Sequence, residues 1–156
     1  MERTLIILKP DAVQRSLCGE IISRFESKGL QLAGIKFMKI PMSTAETHYE
    51  AHKARSFYGG LVAFMTSSPV VVMALEGKDA VAIARNMMGA TFGSKAAPGT
   101  IRGDFGVSNA FNLIHGSDSP EAAAKEIALF FSPGEIVEWK PIIQTWVYDM
   151  TKGEPE

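Results

Sequence analysis

Ser67-Ser68-Pro69-Val70-Val71-Val72-Met73-Ala74-Leu75 is the stretch from which the fold is read. The Ser-Ser-Pro break separates it from what precedes, and Val70 to Leu75 then runs without a polar residue. An unbroken, Val-rich apolar run of this kind suits a strand covered on both faces, hence a central one. Downstream, Gly77-Lys78-Asp79 opens a helix through Ala82, Ile83 and Met87. Upstream, Thr4 to Leu8 reads as a buried strand ended by Lys9-Pro10-Asp11. Ile21, Ile22 and Phe25 recur at helical spacing before Gly29, and Leu32 to Ile40 forms a second strand candidate closed by Pro41. Ser43 and Glu46 have capping-box spacing at the start of the following helix.

Gly89 to Gly106 contains five glycines and Pro98 with little periodicity, and predicts a long loop, a feature that in compact domains usually serves function. Phe111 to Ile114 predicts a short strand, and Ser119-Pro120-Glu121 a helix start with Pro in its first position. The resulting order contains βαββαβ. The expected fold is therefore α/β, a ferredoxin-like four-stranded antiparallel sheet with helices packed around it, the motif's own helices sharing one face.

At 156 residues, 46% hydrophobic and 21% charged, the chain is expected to be a single domain over 1–156, with 151–156 a frayed tail. Sixteen basic and 17 acidic residues leave a net charge of −1, so no global field favours nucleic acid or an anionic membrane. Cys18 stands alone, which excludes an intrachain disulfide and a cysteine-based zinc site. The N-terminal apolar run is far shorter than a membrane span and lacks the form of a secretory leader. A cytoplasmic location is expected.

The common phosphate signatures are missing. Gly89-Ala90-Thr91-Phe92-Gly93-Ser94-Lys95 fails the Walker pattern in glycine spacing and lysine position, and no G-x-G-x-x-G follows a strand. His48 and His52 stand four apart, but no third ligand is evident, and a solvated helix face is the expected role. His115 differs, because it ends an apolar run beside Gly116, and Arg102 sits upstream in a glycine-bracketed loop. Together they suit an anion.

Three blocks carry a specific resemblance: Lys9-Pro10-Asp11-Ala12-Val13-Gln14-Arg15, Gly99-Thr100-Ile101-Arg102-Gly103-Asp104 and Asn112-Leu113-Ile114-His115-Gly116-Ser117-Asp118-Ser119. In their order and separation, from Arg3 to Trp146, the chain resembles the nucleoside diphosphate kinases. The resemblance implies ping-pong transfer of the terminal phosphate from a nucleoside triphosphate to a diphosphate through phosphorylated His115. Ser117 and Glu126 would fix the imidazole, and Lys9 and Asn112 would hold the ribose hydroxyls and the bent phosphate chain. Arg85, Arg102, Thr91 and Tyr49 would contact phosphate, while the base stacks on Phe57 beside Leu61. Stacking reads no base identity, so broad tolerance follows.

It further implies Mg²⁺ held through phosphates and water, and a homo-oligomer, a hexamer ahead of a tetramer, with neither membrane nor specific nucleic acid as partner. The alternative is a non-catalytic nucleotide-binding regulatory protein of the same fold; the intact His115 and arginines argue against it. A nucleic-acid-binding module is disfavoured by the balanced charge. Three departures stand out: Ser56 and Phe92-Gly93 where the family commonly has Pro and Asn-Pro, and Asn109 at a base-side position that is often Val. Gly93 exchanges the most constrained residue for the least, so Pro at 93 is expected to stabilise the free protein unless Gly93 has a positive φ.

Overall fold

The computed structural model describes Met1–Glu156. Along the chain come β1 (Glu2–Leu8), α1 (Pro10–Gln14), α2 (Cys18–Lys28), β2 (Gln31–Met38), α3 (Met42–His48), α4 (Tyr58–Ser67) and β3 (Val70–Gly77). There follow α5 (Ala80–Met88), α6 (Ile101–Phe105), β4 (Ile114–Gly116), α7 (Pro120–Phe130) and α8 (Gln144–Val147). The strands form one sheet in the order β2-β3-β1-β4, every pair antiparallel. This is the expected ferredoxin-like topology. Strand β3 is internal and its apolar run is buried throughout, which is why it carries no polar alternation.

Side chains alternate across each strand, so the sheet builds two cores. Ile6, Leu8, Met73 and Leu75 pack against Phe25 of α2 and Ala84 of α5. Leu5, Ile7, Val72 and Ala74 pack against Ala45 of α3, Met65 of α4 and Phe130 of α7. The two crossover helices α2 and α5 thus share one face, while α3, α4 and α7 cover the other, which the βαββαβ pattern alone does not supply. No helix is long and apolar enough to cross a membrane.

Three local readings need correction. No capping box forms at Ser43: α3 starts earlier, with Pro41 as its N-cap in extended conformation, so Ser43 is already inside the first turn. The 89–106 segment is not all loop. Ile101–Phe105 is helical, capped by the Thr100 hydroxyl, which accepts from the Gly103 N–H at 3.0 Å; five residues are too few to show a period. The Phe111–Ile114 strand is displaced, since β4 starts only at Ile114 and places His115 in its middle, opposite Ile7.

The displacement has a cause at Leu113. Its φ is 70°, and the Ile114 N–H donates to the Asn112 carbonyl at 2.8 Å, closing a γ-turn of the rare positive-φ form. A residue bearing a side chain pays roughly 1–3 kcal/mol for such a conformation, so its surroundings must impose it. They do so through β1 and α1. The Lys9 N–H donates to the Leu113 carbonyl at 2.8 Å, and the Leu113 N–H donates to the Asp11 carboxylate at 3.0 Å. Pro10 begins α1 directly after Lys9, which brings Asp11 back under the turn.

Gly93 is buried, and its φ is not positive. A Cβ there would lie 2.5 Å from the Gly106 carbonyl oxygen, so the expected benefit of Pro is lost for a reason other than dihedral angle. Gly93→Ala and Gly93→Pro are both expected to destabilise the chain, by about 1–3 kcal/mol for the overpacking alone, measured by urea unfolding. Stabilisation by either would show that the Gly93–Gly106 approach is not tight. Asp11→Ala is expected to cost about 1.5–3 kcal/mol, the worth of a hydrogen bond to a charged group, with Asp11→Asn intermediate. Equal stability of Asp11→Ala and the parent in the same assay would mean that Leu113 is held by other contacts.

Candidate active site

His115 points to the second core because it lies opposite Ile7, whose side chain belongs there. Its Nε2 is 2.9 Å from Oε2 of Glu126 on α7. The same oxygen accepts from the Ser117 hydroxyl at 2.9 Å, and Ser117 in turn accepts from the Leu5 N–H at 3.1 Å. Ser117 is two residues beyond His115 and so shares its face. Burial pushes the Glu126 carboxyl up, but the hydrogen bond and charge of His115 outweigh it and leave the group below its ordinary value. An ionised carboxylate accepts only, so Nε2 carries the proton and Nδ1 keeps the lone pair.

Cations gather along the same segment. The Arg102 guanidinium donates from Nε to the Asn112 carbonyl at 3.1 Å, from Nη1 to Gly89 at 3.1 Å and from Nη2 to Ile114 at 2.6 Å. Arg85 Nη1 donates to the Gly116 carbonyl at 3.3 Å, so the two arginines bracket His115 through its neighbours' carbonyls. Lys9 Nζ donates to Asn112 Oδ1 at 2.7 Å, and Asn112 Nδ2 donates to the Thr91 carbonyl at 2.8 Å. None of Lys9, Arg85 or Arg102 has a carboxylate within ion-pair distance. Burial, then the Arg102 charge, lowers the Lys9 ammonium to about 8; burial, then the Arg85 charge, lowers Arg102 to about 10. Positive charge is concentrated here at an energetic cost that an anion would relieve.

Further hydroxyl groups lie near His115. The Tyr49 ring lies 6.5 Å from that of His115, and its buried hydroxyl makes no hydrogen bond; burial raises its pKa above the ordinary value. Thr91 is exposed. The structure therefore brings Lys9, Tyr49, Arg85, Thr91, Arg102, Asn112, Ser117 and Glu126 to the segment around His115. It leaves Phe57 and Leu61 apart from that group. Phe57 caps α4, 53% exposed, with its ring 5.5 Å from that of His52, and Leu61 is half-buried against the second core. At the departure Asn109, the Ser94 hydroxyl donates to Oδ1 at 2.8 Å, which ties the side chain to the 89–106 segment while its amide N–H groups stay free to donate.

His48 corrects the reading of a solvated helix face. Helix α3 ends at His48 and a separate 3-10 turn holds His52, so the two do not share a face. His48 turns inward instead, its ring 4.6 Å from that of His115 at 80°. Burial, then His115, lowers it to about 3, which keeps it neutral. Spacing alone missed this residue because the helix end between the two histidines is set by the bend at Tyr49. The only sequence signal was its position beside Tyr49.

Residues 2–136 match the family model described as nucleoside diphosphate kinase. The chain is 56% identical over 149 residues to a nucleoside diphosphate kinase of Carboxydothermus hydrogenoformans, covering 96% of this chain and all of that one. It is 56% identical over 147 residues to that of Halalkalibacterium halodurans, covering 94% of this chain and all of the relative. Among solved structures, a Halobacterium salinarum nucleoside diphosphate kinase in complex with CDP superposes with a TM-score of 0.93 at 50% identity, covering 95% and 99% of the two chains. A nucleoside diphosphate kinase family protein of Babesia bovis gives 0.92 at 47%, covering 95% and 100%. With a matching model over most of its length, relatives above half identity end to end, and the same sheet, this chain belongs to the nucleoside diphosphate kinase family.

Proposed function

We propose that the chain transfers the terminal phosphate of a nucleoside triphosphate to a nucleoside diphosphate in two half-reactions through His115. The observation that carries this reading is the His115–Glu126 hydrogen bond, which occupies Nε2 and leaves Nδ1 as a free nucleophile among unpaired cations. Nδ1 attacks the terminal phosphorus, the bond to the bridging oxygen breaks, and the diphosphate leaves with that oxygen. The Nε2–H stays on the ring, and Glu126 stabilises the positive charge that phosphorylation creates there. A second diphosphate then attacks phosphorus with its own terminal oxygen and restores His115. One pocket serves both steps.

Transfer of this kind spreads charge over the equatorial phosphoryl oxygens, so alignment and cations do most of the work. Arg85 and Arg102 suit those oxygens, with Thr91 and the Tyr49 hydroxyl as further donors, and Lys9 with Asn112 suits the ribose end. The base would stack on Phe57 beside Leu61, in keeping with an exposed ring. The carboxylate that reaches His115 is committed to His115 and Ser117, so the residues present make no oxygen cage for Mg²⁺. The cation then arrives as part of the substrate, on phosphates and water, as suits an ion that sheds water reluctantly. Ile142 and Trp146, 97% and 90% accessible, offer apolar surface to a subunit interface; by family resemblance we propose a homo-oligomer, a hexamer ahead of a tetramer, and expect it in the cytoplasm.

Labelled ATP alone should leave an acid-labile, alkali-stable phosphate on the protein. His115→Ala should abolish the label and lower turnover by roughly 10⁶-fold, the scale seen when a covalent nucleophile is removed. A His115→Ala chain that still takes label and turns over would move the nucleophile elsewhere. Phe57→Ala should weaken all bases alike, by about 1–3 kcal/mol in kcat/KM across GDP, ADP, CDP and UDP. A loss confined to one base would reveal hydrogen-bond readout at that end of the pocket.

A further inference from the structure

We propose that His48, His115 and Glu126 form a binding site for a divalent transition-metal ion of the zinc type, and that an ion held there prevents phosphorylation of His115. Each residue offers one donor atom, and the three atoms lie within 4.8 Å of one another. Zinc binds imidazole nitrogen and carboxylate oxygen at about 2.0–2.2 Å, so small side-chain rotations would close the three donors around one ion. The two histidine rings are in direct contact, their centroids 4.6 Å apart at 80°, and a ring nitrogen of each lies within 4.8 Å of the other and of a Glu126 carboxylate oxygen. Two imidazoles and a carboxylate leave a fourth position open.

An independent observation points to a ligand. Both ring nitrogens of His48 are buried without any hydrogen-bond partner, whereas buried polar atoms are nearly always satisfied. The phosphoryl chemistry assigned above gives His48 no task. A neutral imidazole binds metal through its ring lone pair, and no hydrogen bond occupies either nitrogen of His48. Glu126 brings a carboxylate oxygen to the set. Nearby Lys9 opposes a cation, so affinity rests on the donor set, and that set also gives selectivity. Mg²⁺ prefers oxygen ligands, whereas imidazole suits zinc and its neighbours in the series.

The consequence for His115 holds whichever nitrogen binds. Through Nε2, the ion displaces the proton shared with Glu126, draws that carboxylate to itself and withdraws electron density from the ring, so Nδ1 loses both its basicity and the anion that stabilises the charge phosphorylation creates. Through Nδ1, it takes the lone pair that attacks phosphorus. Conversely, phosphorylation at Nδ1 leaves the His115 ring cationic with its remaining nitrogen protonated, and so removes one of the three donors. The blocking effect rests on the reading of His115 as the nucleophile; metal binding itself does not.

Zinc chloride titrated calorimetrically into the full chain, free of nucleotide and in excess Mg²⁺, tests the site. One Zn²⁺ per chain is expected, with affinity unchanged in His52→Gln and reduced in His48→Gln and Glu126→Gln. Loss of a ligand should cost at least what loss of an outer partner costs elsewhere, roughly 10–100-fold. Co²⁺ bound to the parent chain should give the intense visible bands of a four-coordinate site, a readout that needs no variant to fold. Chain phosphorylated from labelled ATP and freed of nucleotide should no longer bind Zn²⁺. Labelling at buffered free Zn²⁺, with Mg²⁺ still in excess, should fall as the site fills. Unchanged zinc affinity in His48→Gln, or no zinc bound by a parent chain that takes label normally, overturns the site. A chain that binds zinc through these residues but takes no label keeps the site and overturns the nucleophile.

Discussion

The clamp on Leu113 is the constraint from which the site follows. Its carbonyl and N–H are held by the Lys9 N–H and the Asp11 carboxylate, so β1 and α1 dictate a conformation that Leu113 would not adopt alone. That turn aims the Asn112 carbonyl at Arg102 and the Asn112 side chain at Lys9 and Thr91. It also sets the phase of β4, which decides that His115 and Ser117 face α7 while Ile114 and Gly116 face the other way. Had the strand begun at Phe111 in continuous register, this phase would not have been fixed by the turn. A strained residue persists beside the nucleophile because two elements far away in sequence hold it.

Electrostatics then divides the site into two halves with opposite problems. On the side of Lys9, Arg85 and Arg102, charge is held by carbonyls and amides alone, and burial already draws Lys9 and Arg102 below their ordinary values. An arriving polyphosphate supplies the missing countercharge. On the side of α7, one buried carboxylate is shared by His115 and Ser117 and remains ionised in spite of burial. His115 sits between the halves, its proton directed to the anion and its lone pair left for phosphorus. Binding and chemistry are thereby assigned to different sides of one ring.

Much of this was legible because it is local or periodic. Val70–Leu75 is apolar without interruption and became the internal strand; Ser119-Pro120 starts α7 with the Ser119 hydroxyl accepting from the Ala122 N–H. Lys9, Arg102, Asn112 and His115 stood out as members of motif blocks, and the fold gathers them within a few hydrogen bonds. Helix α6 escaped detection because one turn and a half carries no measurable period, and its cap is a Thr that also fits a loop. Gly93 invited a dihedral explanation, whereas the answer was the proximity of Gly106, a residue thirteen positions away.

The sequence by itself determined which segments are apolar enough to be strands and helices, which residue types are available for phosphate chemistry, and which family the chain matches. Those properties depend on composition and on spacings of a few residues, where side-chain period and turn chemistry act. Tertiary structure alone decided that Glu126 meets His115, that Asp11 reaches across from residue 11 to residue 113, and that His48 faces inward while His52 does not. Each depends on strand phase, on the end of a helix, or on a crossing of distant elements. Such contacts are fixed only when both cores close, because burial on the two faces of one sheet selects a single register for every strand.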